Sequence, residues 1–588
     1  MKKVSIIILA VILVLTLFSA CGTNGGTTPT QTPTSAPDGS QTPGTPDSPD
    51  TPDAPDVPET PFKVDEFGIA MEPYDWPLPL TDDHDTPLTY WWTTSSPQYI
   101  PADKEYGDTD LPVEVEKRTG VKIEYVYVPS SSRKETFSIL LAADDLCDMM
   151  TYATAYYPGT TLQMVEDGYF ANIYDYREYM PNYLYQSKWA DPDDRATYES
   201  VFYEDDLIPV AWVLWEGSIV TDTGYCVRQD FLDKVGMKSE DLKTWDDYVG
   251  AMRAVKSAID TVEFPLWMSA MIETNNYWYF NSFENISVIT TIAMPPVFFR
   301  DGELVMGCTS EGDRQFAEKI SSLFAEKMVN PDWQGYYFAQ AFQAHTLNNE
   351  VFWQGHGTTF EKVNKDCSDP NCNWVPVGKP LITADQVVHA GTIRSRTSTG
   401  NCAVSVKNTN IELCMKWIDY HYSPSGWELF SYGPDGLVVY KDENGVRHNT
   451  EWALSNPDGI ELSGLVSIYT ASRFLDPCIC VYDVQLLNPD GESAIAAVEY
   501  WTEFDRKHYD RAGALPIGVR LSTEQSEEVN KYRADIITYV AETFASFVDG
   551  STPMSEWGNY QKTLEQMGLK EILAAYQEAY DDYLAKIG

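Results

Sequence analysis

Basic residues are scarce in this chain. Lys and Arg number 41 against 88 Asp and Glu, so the formal net charge is −47. A surface that acidic repels phosphate backbones and anionic head groups, which excludes nucleic-acid binding. Histidine is also sparse, with seven scattered residues. A zinc site would require two close Cys/His pairs, and none stands out. After the first 20 residues no uncharged apolar run reaches the roughly 20 residues of a membrane span. No Gly-x-x-x-x-Gly-Lys-[Ser/Thr] phosphate cradle, Gly-x-Ser-x-Gly elbow or His-Glu-x-x-His motif occurs. Gly355-His-Gly357-Thr-Thr-Phe360 lacks the third glycine of a dinucleotide loop. Asp442-Glu-Asn444-Gly445 is an incomplete calcium series and a better hairpin turn. A carboxylate pair for glycoside hydrolysis stays open, because 88 acids offer many pairs.

Aromatics, in contrast, are abundant: 13% of the chain, with 17 Trp and 37 Tyr. Disordered chains lack them, so most of the 588 residues fold. At roughly 150 residues per domain the length allows two to four domains.

The N-terminus sets the compartment. Met1-Lys2-Lys3 is positive, Val4 to Phe18 is almost unbroken apolar, and Ser19-Ala20-Cys21 follows. This is a secretory signal over residues 1–20. Phe18-Ser19-Ala20-Cys21 resembles the bacterial lipobox, which implies that Cys21 is lipidated and becomes the new N-terminus. Multiple acyl chains anchor stably where one does not. From Cys21 to Pro61 the chain is a tether, with ten prolines between Gly22 and Pro61 among Thr, Ser, Asp and Gly. Such sequence favours extended, coreless chain.

Setting Cys21 aside, nine cysteines remain, an odd number that cannot all pair within the chain. Cys367 and Cys372 are spaced for a loop disulfide, whereas Cys478 and Cys480 share a strand face where a bridge would be strained. The reading is buried thiols with at most one disulfide, from an anaerobic or weakly oxidising source.

The folded body is expected over 62–588, beginning with a Pro-rich arm to about residue 87. Leu88–Trp92 reads as a strand, Leu111–Arg118 as a helix ended by Gly120, and Val121–Val128 as an alternating strand. Lys134–Ala143 is a second helix and Asp148–Tyr152 a buried strand. A β-α-β-α-β run implies a parallel sheet flanked by helices. Further on, Tyr225–Arg228 is a strand, Thr244 caps a helix over Trp245–Ile259, and 312–327 and 411–422 are helical. The last helix carries Leu569, Ile572, Leu573, Tyr576, Tyr580, Tyr583 and Leu584 on one stripe.

Several segments, in order, resemble the bacterial extracellular solute-binding lipoproteins of ABC importers, of the large type tied to oligosaccharide uptake. They include Glu116-Lys-Arg-Thr-Gly120-Val121, Leu140 to Met150, and Tyr179-Met-Pro-Asn-Tyr183. Val227-Arg-Gln-Asp-Phe-Leu-Asp-Lys-Val-Gly236 follows, then Tyr422-Ser-Pro-Ser-Gly-Trp427 and Tyr576-Gln-Glu-Ala-Tyr580. Cys147 stands where the family usually has Pro, and only Thr244 survives of its Pro-x-Thr.

The resemblance implies an α/β, two-lobe, type II periplasmic-binding-protein-like fold. Hinge strands join the lobes and the ligand cleft lies between them. One lobe would hold about 85–215 and 395–470, the other about 216–394 and 475–588. It further implies a monomeric importer subunit on the outer face of the bacterial cytoplasmic membrane. Such a subunit captures an oligosaccharide or other small solute and delivers it to ABC permease subunits, without cofactor, metal or catalysis. A cell-surface glycosidase and a glycan-adhesion lipoprotein are the competing readings.

Sugars offer C–H faces to aromatic rings and hydroxyls to polar groups. The candidate ligand contacts are Trp92, Trp212, Trp215, Trp267, Trp278, Trp353, Tyr432 and Asp148. Trp92, Trp215 and Trp353 lead as stacking platforms, because polar or Gly-containing sequence adjoins each.

Overall fold

Among the described residues a six-stranded and a three-stranded sheet, each with its own hydrophobic core, organise the chain, beside two antiparallel strand pairs. The structure, a computed structural model, describes residues 60–588 except 95–96, 217–220, 222, 269–279, 291–292, 335–340, 357–359, 409, 461, 472–475, 482–490 and 588. The signal, Cys21, nearly all of the tether and Trp278 therefore lie outside the described residues.

In chain order the strands are β1 (Leu88–Trp92), β2 (Ile123–Tyr127), β3 (Met149–Thr151), β4 (Ala211–Trp215) and β5 (Gly224–Arg228). Next come β6 (Val297–Arg300), β7 (Glu303–Met306), β8 (Trp353–His356) and β9 (Trp374–Val377). The last are β10 (Thr397–Val404), β11 (Val439–Lys441), β12 (Arg447–Asn449) and β13 (Ile479–Cys480).

The first sheet runs β13-β4-β10-β3-β1-β2. β1 is parallel to β2 and β3, and β13 to β4, while β10 is antiparallel to both its neighbours. Five strands therefore point one way, and β10 alone runs against them. Parallel strands require crossover connections, and helices supply them here. The helix Asp110–Thr119 joins β1 to β2 and ends at Gly120, whose φ of 70° is the left-handed cap expected of glycine. The helix Arg133–Ala143 then returns the chain to β3.

The first core packs around this sheet. It includes Tyr90, Met149, Val213, Val404, Trp417 and Ile418, each essentially buried. The N-terminal arm belongs to it as well. Ile69 is buried there, and Trp76 donates its indole N–H to Asp419 at 2.8 Å.

The second sheet is β8-β5-β9, antiparallel throughout. Its core combines Tyr225 and Val227 with Trp245, Phe316, Val540, Phe544 and Ile572. C-terminal helices thus complete the lobe that β5 begins. The helix Trp245–Ala258 opens on a capping box in which Thr244 Oγ1 accepts from the Asp247 N–H. Turn chemistry is met also at Gly445 (φ 80°), between β11 and β12.

One expected boundary moves. The second lobe was expected to resume at about 475, but Cys478 and Ile479 pack in the first core and β13 pairs with β4.

The chain passes between the lobes after β4, before β10 and after β13. The lobes also meet at Glu199. Its carboxylate accepts from the Gly518 N–H at 2.9 Å and the Tyr583 hydroxyl at 2.8 Å. Arg520 lies 3.9 Å over the Tyr203 ring.

Candidate functional site

Loops at the C-terminal ends of parallel strands converge on one edge, where α/β proteins build their sites. In the first lobe that edge carries Thr93 and Thr94 after β1, Tyr127 closing β2, and Tyr152 after β3. Trp215 closes β4, and β10 begins there because it runs the other way. Tyr152 takes a left-handed φ of 62° and donates from its hydroxyl to Thr399 Oγ1 at 3.0 Å. Tyr127 is 36% exposed. Trp215 is half-buried, with its carbonyl bound by Arg396 Nε at 2.8 Å and its N–H donating to the Arg396 carbonyl at 2.7 Å. Glu216 is exposed just beyond.

The second lobe turns Gly224, His356 and Val377 to one edge of its sheet, since Gly224 pairs with His356 and the adjoining Tyr225 with Val377. Helix Gly491–His508 lies across this edge at close quarters. A Cβ on Gly224 would meet the Trp501 indole at 2.5 Å, and one on Gly378 the Phe504 ring at 2.1 Å. Trp501 completes the contact by donating Nε1–H to the Tyr225 carbonyl at 3.2 Å. A cavity of about 20 Å3 opens here, lined among others by Thr221, Thr223, Lys379 and Asp505. That is space on the order of one water. Lys379 is 8% exposed and stands 4.2 Å over the Tyr509 ring. Burial lowers its ammonium to about 7, against the pull of Asp505. Arg394 reaches the same crossing segment, donating to Thr221 Oγ1 at 3.4 Å.

The expected contacts fare unequally. Trp92 is fully buried, stacked on Tyr106 at 3.7 Å. Its Nε1–H donates to Asp476 at 3.2 Å, and the Tyr90 hydroxyl donates to the same carboxylate at 2.9 Å. Burial pushes Asp476 up to about 6. Trp92 is therefore a core residue pinned beneath the edge. Trp353 is also fully buried, 4.4 Å from Tyr248 and 5.2 Å from Phe280. Neither ring offers a face to a sugar. Their flanking polar sequence misled, because a strand end can bury its last side chain while its backbone reaches a loop.

Trp267, 7% exposed, packs on His345 at 4.2 Å. Tyr432, 6% exposed, lies under Arg447 at 4.0 Å in a separate small core. Asp148 sits at the other end of the sheet. It accepts from the Thr89 N–H at 2.7 Å and hydroxyl at 2.8 Å, tying the starts of β1 and β3 together. Trp212 is half-buried between the two faces of the first core. Of the expected set, Trp215 alone both reaches the edge and keeps surface exposure among the described residues. Tyr127 and Tyr152 were missed. In sequence Tyr127 reads as part of an alternating strand and Tyr152 as the end of a buried one, and only the shared edge distinguishes them.

Among the described residues no cluster of three or more His, Cys, Asp or Glu could hold a metal ion, and no helix is long and apolar enough to cross a membrane.

Comparisons with known proteins place the fold. No family model matches the chain. The fructooligosaccharide ABC transporter substrate-binding protein FusA of Streptococcus pneumoniae serotype 4 is 24% identical over 280 residues, 46% of this chain. The match spans 48% of that protein, about half its length. Among solved structures, an HMO-binding, ABC-transporter-associated solute-binding protein from Bifidobacterium longum infantis superposes with TM-score 0.64 at 17% identity, covering 85% of this chain and 99% of that one. FusA from S. pneumoniae in complex with kestose gives 0.63 at 18%, covering 85% and 100%. Alginate-binding protein AlgQ2 without calcium gives 0.62 at 19%, covering 84% and 98%. The chain thus has the two-lobe α/β fold of solute-binding proteins.

Proposed function

We propose that this chain is the substrate-binding subunit of an ABC importer and that its ligand is an oligosaccharide. One observation carries the reading. The C-terminal edge of five parallel strands, bearing Trp215, Tyr127 and Tyr152, lies where the chain crosses to a second lobe. Aromatic faces there would stack on sugar rings, and the Thr399 hydroxyl and the Glu216 carboxylate would take hydroxyls. Closure of the two lobes about their crossing segments would enclose the ligand. The relatives named above bind fructooligosaccharide, HMO and alginate, which makes glycans the ligand class to test first.

On this reading the subunit performs no catalysis. Lipidation at Cys21 holds it on the outer face of the membrane, the tether to Pro61 lifts the body, and permease subunits receive the ligand. The first lobe takes 85–215 and 395–480, and the second takes 216–394 and 491–588. A thermal-shift screen of fructo-, manno- and uronate-containing oligosaccharides tests it. A true ligand raises the melting temperature with concentration as RT ln(1 + [L]/Kd). If none of the glycan classes shifts the transition, the proposed ligand is wrong.

A further inference from the structure

Two thiols lie together beneath a buried arginine in the second lobe. Cys367 follows the helix Phe360–Asp366, and Cys372 stands two residues before β9. The Cys367 thiol is 3.1 Å from Asn349 Oδ1 and 3.9 Å from Arg228 Nη1. Half-buried Cys372 has its sulfur 3.8 Å from Asn364 Oδ1, one turn before Cys367 in the chain.

The segment between them is already closed. The Cys372 N–H donates to the Asp369 carbonyl at 3.0 Å, and Asn364 Oδ1 accepts from the Trp374 N–H at 2.8 Å. A bridge would close a loop that these hydrogen bonds already fold back on itself. Arg228 is fully buried and held by Asp230 through two 2.7 Å bonds, so its positive charge is fixed beside the Cys367 sulfur, and Asp230 Oδ1 also accepts from the N–H of Asn373, next to Cys372. The thiolate is the species that attacks a disulfide.

We propose that Cys367 and Cys372 form a redox site, closing to a disulfide by exchange with a low-molecular-weight disulfide. The more accessible Cys372 thiolate attacks one sulfur of that oxidant, forming a mixed disulfide and releasing one small thiolate. The Cys367 thiolate then attacks the Cys372 sulfur and displaces the second. The two thiol protons end on the two small thiols, and the oxidant takes up the two electrons. Burial raises the Cys372 thiol from its ordinary value, so exchange is faster in mildly alkaline buffer. The bridge would fasten the helix Phe360–Asp366 to β9, whose far end carries Gly378 and Lys379 to the cleft edge.

Peptide mapping decides it. The full chain is equilibrated at pH 8 with oxidised or reduced glutathione, acid-quenched, alkylated and digested without reduction. Trypsin releases both cysteines in one peptide, 366–394, because the Lys379–Pro380 bond resists cleavage. The expected result in oxidised buffer is that peptide two hydrogens lighter and unlabelled, and in reduced buffer the same peptide with two labels. Cys367→Ser should abolish the two-hydrogen deficit. Two labels at 367 and 372 in the oxidised sample, a bridge from either to another cysteine, or a deficit that survives Cys367→Ser would each overturn the proposal.

Discussion

Trp215 and Trp353 make a controlled pair at the scale of single residues. Trp215→Ala removes a half-exposed ring at the proposed cleft, so it should weaken glycan binding roughly ten- to a hundredfold with the unliganded melting temperature nearly unchanged. Trp353→Ala empties a site packed by Tyr248 and Phe280 and should cost roughly 3–5 kcal/mol of stability. Urea unfolding and calorimetric titration of both variants separate the roles, and the reverse pattern would move the site to β8. Asp476 supplies a pH test. Its pKa rises by burial from 3.8 to about 6 in the fold. The native chain therefore holds that proton more tightly than the unfolded chain. The resulting stability is complete below about pH 3.8 and is lost as pH rises through 6, on the order of 2–3 kcal/mol. His421, across the small cavity from Asp476, acts oppositely, because burial lowers it to about 3. A comparison with Asp476→Asn isolates the carboxylate: the variant should gain on the parent as pH rises from 4 to 7. A constant difference between the two melting curves over that range would refute the assignment.

Among the elements, helix Gly491–His508 depends on two residues without side chains. Gly224→Ala sets a methyl 2.5 Å from the Trp501 ring, too close for contact without a shift. Overpacking of this kind costs on the order of 1–3 kcal/mol, so urea midpoints should fall, while Gly236→Ala is no control because its φ is 72°. Gly250→Ala, in open space within the helix Trp245–Ala258, is the proper one and should not lower the midpoint. The sequence announced most elements because local signals and tertiary packing agreed in them. Alternation over Val121–Val128, the glycine stop at 120 and the helix cap at Thr244 each reappear within a residue or two. The site was far less legible. Stacking depends on which face of a ring meets solvent, and Trp92 and Trp215 look alike on paper. One closes a strand inward onto Asp476, the other closes a strand at the surface. Tyr152 gave no local signal, since its position comes from a left-handed turn after β3 and from pairing with a strand some 250 residues away.

For the molecule as a whole, acidity and attachment act together. A chain of formal net charge −47 is kept away from anionic surfaces by repulsion, so a lipid on Cys21 would be what retains it at a membrane. Cys21→Ala should shift the protein from the membrane fraction to the medium or leave the precursor unprocessed. Fatty-acid labelling of that variant at the parent's level would contradict this. The central claim is that the cleft binds an oligosaccharide and leaves it intact. Isothermal titration of the mature chain with fructo-, manno- and uronate-containing oligosaccharides, each recovered afterwards and sized by chromatography, tests it most directly. The account predicts saturable one-to-one binding of at least one glycan, recovered at its original length. Absence of binding throughout, or recovery of shortened products from the bound glycan, would contradict it.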